Sequence, residues 1–160
     1  MASFDELDFK FRTFMKLYRY RRYDWTPHTP MNRPLAECHV ALLTTAGLHL
    51  PSQEAFDDNF KGGDYSYREI PNDVDVQTLE IAHRSSAYDQ SGSFADRNLV
   101  FPLDRFRELE QEGEIACLNS RHFSFMGGQT APGRLIKRTA PEVAQHLKSD
   151  HVDVVFLTPV

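Results

Sequence analysis

Residues 39–48 read HVALLTTAGL, and this stretch determines the class of fold. It is short, rich in apolar and β-branched side chains, and it ends around Gly47. Such a run is typical of a strand buried on both faces, as in a parallel sheet. Residues 152–160, VDVVFLTPV, form a second run of the same kind. Together the two runs predict the core of a parallel sheet.

Amphipathic helices are predicted between these strands. Residues 102–113 carry apolar side chains at helical spacing, with a proline in the first turn and a glycine at the end. Thr139 is the predicted N-cap of a second helix, with Pro141 just inside it. Residues 67–70 and 114–119 are strand candidates, 78–83 fits either a strand or a helix, and 51–66 and the glycine-rich 122–133 are predicted loops. This alternation predicts an α/β fold, a mainly parallel sheet with helices on both faces.

The first 33 residues are predicted to form a separate segment, followed by an α/β domain over residues 34–160. Apolar residues at helical spacing indicate an amphipathic helix over residues 4–18 with Ser3 as its N-cap, and three prolines in residues 25–34 indicate an extended connector. Basic and aromatic residues interleave over residues 16–25, a pattern that also occurs in single-strand nucleic-acid binders. Helical packing already explains these aromatic residues, so no nucleic-acid partner is expected.

Composition excludes several classes of protein. The 160-residue chain has a net charge of −5, which argues against nonspecific nucleic-acid binding. No run approaches the length of a membrane span and the acidic N-terminus does not resemble a signal peptide, so a cytoplasmic protein without membrane contact is expected. The two cysteines lack a CxxC spacing and the seven histidines form no HxH, HxxxH or HExxH motif. Neither a metal site nor a cofactor is predicted.

Polar residues at the ends of the predicted strands are the first candidates for a binding site. Ligands of open α/β sheets bind beyond the carboxyl ends of the strands, where Thr44, Thr45 and Gly47 follow the first run. His83 begins a polar loop and is a candidate acid or base, although a histidine there can also simply hydrogen-bond its own loop. We expect the carboxyl ends of residues 40–45 and 152–157 to share one edge of the sheet and to flank a polar cleft that contains His83.

Three further residues are candidates for binding a substrate. Arg68 is suited to a bidentate contact with a carboxylate, and its alternative is a structural ion pair. Asp96 and Asn98 either face the same cleft as His83 or form a turn before the next helix. Gly127 and Gly128 permit close approach of backbone amides to an anion, without the lysine of a phosphate-binding loop.

Several separate motifs resemble one family, and together they cover about residues 34–160. They are LLTTAGLHL with SQEAFD, GDYSYREIP, HRSSAYD, NLVFPLDRFRELEQEGEI, HFSFMG and VDVVFLTPV. In this order they resemble the selenoprotein B family of glycine, sarcosine, betaine and D-proline reductases. The resemblance does not choose among these substrates.

The resemblance implies reductive cleavage of a carbon–nitrogen bond next to a carboxylate. It also implies a redox-active selenocysteine or cysteine just after the strand 152–160, other reductase subunits or a dithiol donor as partners, and a small substrate that carries a carboxylate. Because the sequence stops at Val160, we expect the redox motif to be missing, the sheet to be incomplete at its C-terminus, and a selenocysteine codon to follow. The alternative is a noncatalytic α/β subunit that binds a small anion or a partner protein. A nucleophilic role for Cys38 or Cys117 requires an accessible thiol at a strand end.

Overall fold

A computed structural model describes residues 8–18, 24, 26 and 28–160. The chain divides into two units, Met1–Pro30 and Met31–Val160. The boundary expected at residue 33 stays a prediction. In the first unit, helix α1 spans Phe9–Leu17. The predicted Ser3 cap and most of the basic and aromatic stretch lie outside the described residues.

The second unit contains the sheet and the remaining helices. Its strands are β1 (His39–Thr44), β2 (Leu48–His49), β3 (Tyr67–Pro71), β4 (Glu80–Ile81), β5 (Cys117–Leu118), β6 (Arg121–Phe125) and β7 (Val154–Thr158). Its α-helices are α2 (Ser91–Ala95), α3 (Leu103–Gln111) and α4 (Ala140–Ser149). Three short 3₁₀ turns occupy Leu35–Glu37, Val76–Thr78 and Arg97–Leu99, and a π-helical turn, Leu135–Thr139, precedes α4. In the described ranges no helix has both the length and the apolar character that crossing a bilayer demands.

Strand β1 is the centre of the main sheet. Strand β7 pairs with it in parallel along its length, from Val40 opposite Val154 to Thr44 opposite Thr158. Strands β5 and β6 also run parallel to β1 and pair with its first and last residues, so they share its other edge. Strand β3 adds to β6 in the antiparallel direction, and β2 and β4 form a separate antiparallel pair. The predicted α/β fold with a mainly parallel sheet is confirmed.

Helices cover both faces of the sheet. Side chains alternate between faces along a strand, so Leu42 and Leu43 of β1 face opposite ways. Leu42 belongs to a core with Leu103 of α3, while Leu43 packs with Val143 of α4 in a second core. This two-sided packing explains the continuous apolar run of β1, because both faces of the strand are buried.

Polar contacts also fasten α4 to the sheet. Arg121 of β6 donates from Nε to the Asp150 carboxylate at 2.7 Å, directly after α4. The hydrogen bonds from this guanidinium hold the pKa of Asp150 at about 2. On the same side of α4, Tyr67 of β3 donates its hydroxyl to Glu142 at 3.0 Å.

Three expectations about local structure differ from what is found. Strand β6 lies where a loop was expected; the sequence hid it because His122 and Ser124 are polar, although both are buried. Thr139 occupies the predicted N-cap position of α4, but its side chain does not cap the helix: the residue ends the π-helical turn, and its hydroxyl donates to the Tyr65 carbonyl at 2.6 Å. Strand β7 is less buried than its sequence predicts, since it pairs only with β1 among the described strands and Leu157 is 61% exposed.

Candidate functional site

The loops that follow β1, β6 and β7 meet at one edge of the sheet. The amide of Gly127, after β6, donates to the Thr45 carbonyl at 2.7 Å, and the amide of Thr45 donates to the Thr158 carbonyl at 3.1 Å. Because β6 and β7 lie on opposite sides of β1, the chain crosses over β1 between them, and ligands of α/β sheets bind at such switch points. The expected common edge for the ends of β1 and β7 is confirmed. We call Thr45, His83, Gly127, Gly128 and Val160 the carboxyl-edge site.

Thr45 fixes the chain after β7. The Val160 amide donates to Thr45 Oγ1 at 2.8 Å, and the hydroxyl lies 3.4 Å from the Val160 carbonyl oxygen. One side chain therefore engages both polar backbone groups of Val160. Thr45 was expected in the site, and its side chain does make contacts at this edge of the sheet.

Gly127 is packed too tightly to carry a side chain. A Cβ atom at this position would lie 2.7 Å from the Val160 carbonyl oxygen, 2.8 Å from His83 Nε2 and 3.1 Å from the Thr45 carbonyl oxygen. Gly128 has a φ of +64°, in the left-handed region that glycine adopts most easily, and it packs against Arg84. The two glycines thus bring the His83 loop next to the ends of β1 and β7.

The hydrogen bonding of His83 fixes its tautomer. The Ser85 amide donates to Nδ1 at 3.1 Å, so in the neutral ring the proton is on Nε2. Tyr88 packs edge-on against the ring with centroids 4.9 Å apart. Nε2 is buried, has no hydrogen-bond partner among the described residues, and faces Gly127. Burial lowers the pKa of His83, which keeps the ring neutral at pH 7. The side chain thus offers one unused N–H donor at the carboxyl-edge site.

Thr44 and Gly47, also expected in the site, have structural roles. Thr44 is fully buried, and its hydroxyl accepts from the Ala46 amide at 3.1 Å. Gly47 has a φ of +71°, and a Cβ there would collide with the carbonyl group of Ala82. The backbones of Gly47 and Ala82 lie close together, and the Ala82 amide donates to the Gly47 carbonyl at 2.9 Å. This contact positions the chain between β4 and His83.

Arg68 is engaged by its own chain. Its guanidinium donates to the carbonyls of Glu54, Ala55 and Tyr67 and to the Ser66 hydroxyl, at 2.7 to 3.2 Å. The charged group also lies 4.3 Å from the centroid of the Phe56 ring. These contacts hold the loop before β3 and leave little of the guanidinium for a substrate carboxylate.

Asp96 and Asn98 form a turn before α3, which was the alternative to a place in the cleft. Asp96 Oδ1 accepts from the Asn98 amide at 2.9 Å and from Gln77 Nε2 at 2.9 Å. The Asn98 side chain accepts from the Asp104 amide and donates to the Asp104 carboxylate, which fixes the start of α3. Their side chains hydrogen-bond to this turn, to Gln77 and to Asp104 rather than to His83, so the structure does not bring these residues into the carboxyl-edge site.

The two cysteines lie at the other end of the sheet. Cys38 precedes β1 and is buried, and Cys117 pairs with His39, the first residue of β1. Burial, with Glu110 and Asp153 nearby, raises the pKa of the Cys117 thiol. A reactive cysteine needs a lowered pKa, so neither the location nor the electrostatics of these thiols suits a nucleophile. No group of three metal-ligating side chains occurs among the residues that the structure describes.

A cavity of about 570 Å³ adjoins the carboxyl-edge site, between the sheet and α4. Thr45, Gly127, Gly128 and Val160 form one end of it, and the rest of its wall is almost entirely apolar. A polar cleft was expected here, but the wall of the cavity is apolar, so the expected polarity is wrong. The sequence signal for the apolar wall lies in Val143 and Leu147, which α4 turns toward the sheet.

Comparisons with known proteins agree on one family. The family model for glycine/sarcosine/betaine reductase selenoprotein B matches residues 8–160. The D-proline reductase subunit gamma of Acetoanaerobium sticklandii is 37% identical over 130 residues, which cover 81% of this chain and 52% of that protein. The glycine reductase complex component B subunit gamma of Symbiobacterium thermophilum is 31% identical over 88% of this chain and 33% of that protein.

A sarcosine reductase complex component B subunit beta, from Peptoclostridium acidaminophilum, is 26% identical over 85% of this chain. No solved structure matches the chain significantly. The chain spans about half the length of the D-proline reductase subunit and about a third of the glycine reductase subunit. The match over nearly the whole sequence nevertheless identifies the chain as a member of the glycine/sarcosine/betaine reductase selenoprotein B family.

Proposed function

We propose that this chain forms the substrate-side scaffold of a reductase component that cleaves a carbon–nitrogen bond in an amino acid or a betaine-type substrate. The names of the relatives support this reaction class and also support other reductase subunits as partners. In the reaction the C–N bond is replaced by a C–H and an N–H bond; the nitrogen leaves as ammonia or an amine from an open-chain substrate and stays attached as a new amino group when the substrate is a ring. The two electrons and two protons come from a dithiol, which is oxidised to a disulfide. A cytoplasmic location suits this chemistry, because dithiols stay reduced there.

The observation that carries the proposal is the unused N–H donor of His83. A buried donor without a partner is costly, and such groups are common where a ligand or a reactive group completes the bond. Since Nδ1 accepts from Ser85, the neutral ring acts through Nε2 as a hydrogen-bond donor. This geometry supports a role in holding an anionic atom, either a substrate carboxylate or an ionised redox group. A general base needs a free nitrogen lone pair, whereas Nε2 carries the proton and Nδ1 already accepts from Ser85, so the ring suits the role of a donor better.

The redox residue itself belongs directly after Val160 in this proposal. Thr45 anchors Val160 beside His83, so a selenocysteine or cysteine that follows would start at the carboxyl-edge site. A hydrogen bond from an imidazole N–H stabilises a selenolate or thiolate and favours the nucleophilic form. Cys38 and Cys117 are at the opposite end of β1 and do not take this role.

The test uses the complete polypeptide encoded by the gene, together with its partner subunits. Its intact mass should exceed that of residues 1–160 and should include a selenocysteine or cysteine at the position after Val160. Dithiol-dependent release of ammonia or amine is then measured with glycine, sarcosine and betaine, and ring opening to 5-aminopentanoate is measured with D-proline. Loss of one donor to a developing or bound anion costs roughly 10²–10³ in rate, so His83→Leu should reduce kcat/KM by about that factor. His83→Gln, which keeps an N–H donor, should retain part of the activity.

The exposed His28 provides the control, and His28→Leu should leave kcat/KM unchanged. A complete polypeptide without a redox residue after Val160, and without reduced product from any of the four substrates, would contradict the proposal. That result would favour the alternative, a noncatalytic subunit that binds a small anion or a partner protein.

A further inference from the structure

The cavity beside the carboxyl-edge site has the size of a small-molecule site. Its volume of about 570 Å³ falls within the range of roughly 300 to 1,000 Å³ that is common for ligand pockets. Leu43 of β1 and Phe125 of β6 form its floor, and Val143 and Leu147 of α4 form the opposite wall. Leu157 of β7 also lines the cavity and is 61% exposed, so the cavity is open to solvent.

The chemistry of the wall is uniform. None of the described residues that line the cavity has a charged side chain, and their polar side chains are Thr45 and Gln129. Phe125 is the sole aromatic ring among those lining residues. A quaternary ammonium group is bound by several aromatic faces, so this wall does not suit a trimethylammonium group. A carboxylate or an ammonium ion inside it would lose its hydration without gaining a partner.

The polar end of the cavity coincides with the carboxyl-edge site. Thr45, Gly127, Gly128 and Val160 belong to both, and His83 Nε2 lies directly behind Gly127. A ligand that fills the cavity with hydrocarbon therefore places its polar end at the position where the proposed chemistry occurs. Glycine has no side chain to fill such a space, and most of the cavity would stay empty around it.

We infer that this cavity binds the hydrocarbon side chain of an amino-acid substrate, so that the reductase prefers apolar amino acids over glycine and over trimethylammonium substrates. This inference rests on the proposed function, because it assumes that the substrate reacts at the carboxyl-edge site. Selectivity comes from burial of methylene groups. Each buried methylene is expected to strengthen binding by up to about fourfold.

A homologous series of ligands tests the inference by binding alone. Glycine, glycine betaine and the racemates of alanine, 2-aminobutyrate, norvaline and norleucine are titrated into the complete polypeptide. Methyl resonances of Leu43, Val155 and Leu157 report occupancy of the cavity by NMR. Affinity should rise by about two- to fourfold for each methylene from alanine to norleucine. Glycine betaine should bind at least about tenfold more weakly than norleucine, because the cavity lacks an aromatic cage.

Two variants on adjacent residues of α4 localise the effect. Ala144 is exposed and lines the cavity, so Ala144→Trp should fill the space and weaken norleucine at least about tenfold. Gln145 is exposed on the same helix and does not line the cavity, so Gln145→Trp is the matched control and should change the dissociation constant less than about twofold. If Ala144→Trp fails to fold, the methyl shifts in the parent protein still decide the question.

Equal affinity for glycine and norleucine, or binding that leaves the three methyl groups unshifted, would overturn the inference. So would binding to residues 1–160 that disappears in the complete polypeptide, since the cavity would then be filled by protein. The reductase proposal has a separate readout, the release of amine. Graded binding without turnover refutes the reductase and keeps the cavity assignment, whereas turnover of glycine without graded binding refutes the cavity assignment alone.

Discussion

Thr45 and Val160 are joined through a side chain and a backbone: the Val160 amide donates to Thr45 Oγ1 at 2.8 Å, and the hydroxyl lies 3.4 Å from the Val160 carbonyl oxygen. The two residues are 115 positions apart in the sequence. They follow the ends of two neighbouring parallel strands, so the contact continues the pairing of β1 with β7 beyond the strand ends. The position of Val160 beside His83 therefore depends on one hydroxyl group.

Thr45→Val is expected to destabilise the fold by about 1 to 2 kcal/mol. Valine has the same shape but lacks the hydroxyl, so the half-buried Val160 amide loses its acceptor. Urea unfolding followed by circular dichroism gives the free energy of unfolding. Thr158→Val is the control, because the side chain of Thr158 makes no hydrogen bond among those described, and it should change stability by less than about 0.5 kcal/mol. Equal losses for both variants would contradict the role of the Thr45 hydroxyl.

Gly127→Ala is expected to destabilise the protein by about 1 to 3 kcal/mol, as overpacking of a tight site does. The new Cβ would lie within 2.8 Å of both the Val160 carbonyl oxygen and His83 Nε2, so one of them must move. The ring resonances of His83 should shift in an NMR spectrum. Gly133→Ala serves for comparison, since a Cβ there meets no atom within 4 Å. Unchanged His83 resonances in Gly127→Ala would show that the glycine does not pack against the histidine.

Stability is expected to fall as the pH is lowered from about 6.5 to about 3 because of His122. This side chain is fully buried, accepts from the Leu42 amide at 3.1 Å, and burial, with Arg107 and His39 nearby, lowers its pKa to about 3. Its pKa in the folded state lies below its value of 6.5 in an unfolded chain, so the unfolded state binds the proton more readily. The contribution is complete above pH 6.5 and declines as the pH falls toward the folded pKa, with a total of about 5 kcal/mol.

Urea unfolding at pH 7, 6, 5 and 4 measures this dependence, with His122→Gln as the test variant. Glutamine has no charged form in this range and can still accept from the Leu42 amide. Its stability should therefore depend less on pH than that of the parent, even if it is lower at pH 7. His28→Gln, at an exposed position, should keep the slope of the parent. A parent slope retained in His122→Gln would assign the acid sensitivity to other groups.

Arg68→Ala is expected to lower the free energy of unfolding by about 2 kcal/mol, since hydrogen bonds from a charged group contribute more than neutral ones. The sequence made Arg68 a candidate for binding a substrate carboxylate, and its contacts with backbone carbonyls argue instead that folding suffers more than substrate binding. Arg105→Ala removes an exposed arginine that pairs with Glu108 on α3, and it should cost less than about 1 kcal/mol. A thermally unchanged Arg68→Ala variant with a raised KM would restore the substrate clamp.

The elements that could be predicted are those whose burial follows from local pattern. Strand β1 is apolar on both faces, and α3 combines helical spacing with a proline and a glycine at its ends, so each was found from a few consecutive residues. Strand β6 was missed because His122 and Ser124 are polar. His122 becomes a core residue only through Leu42 and Asn72, which are 80 and 50 positions away.

The same distinction applies to the candidate site. His83 and Thr45 were expected at the carboxyl edge because polar residues after buried strands face that edge. The tautomer of His83 depends on the Ser85 amide, and the role of Arg68 depends on carbonyls 13 and 14 residues away, so a list of residue types could not reveal either. The cavity arises only when α4 packs over the sheet, which is why its apolar wall looked like ordinary core.

The central place of β1 also has a consequence for the order in which the chain is made. His39–Thr44 leaves the ribosome more than a hundred residues before Val154–Thr158, the strand that covers its second edge. Pairs so distant in sequence form slowly, and an unpaired apolar strand is open to association with other nascent chains. During synthesis, HVALLT thus depends on chaperones or on rapid elongation until Thr158 has emerged.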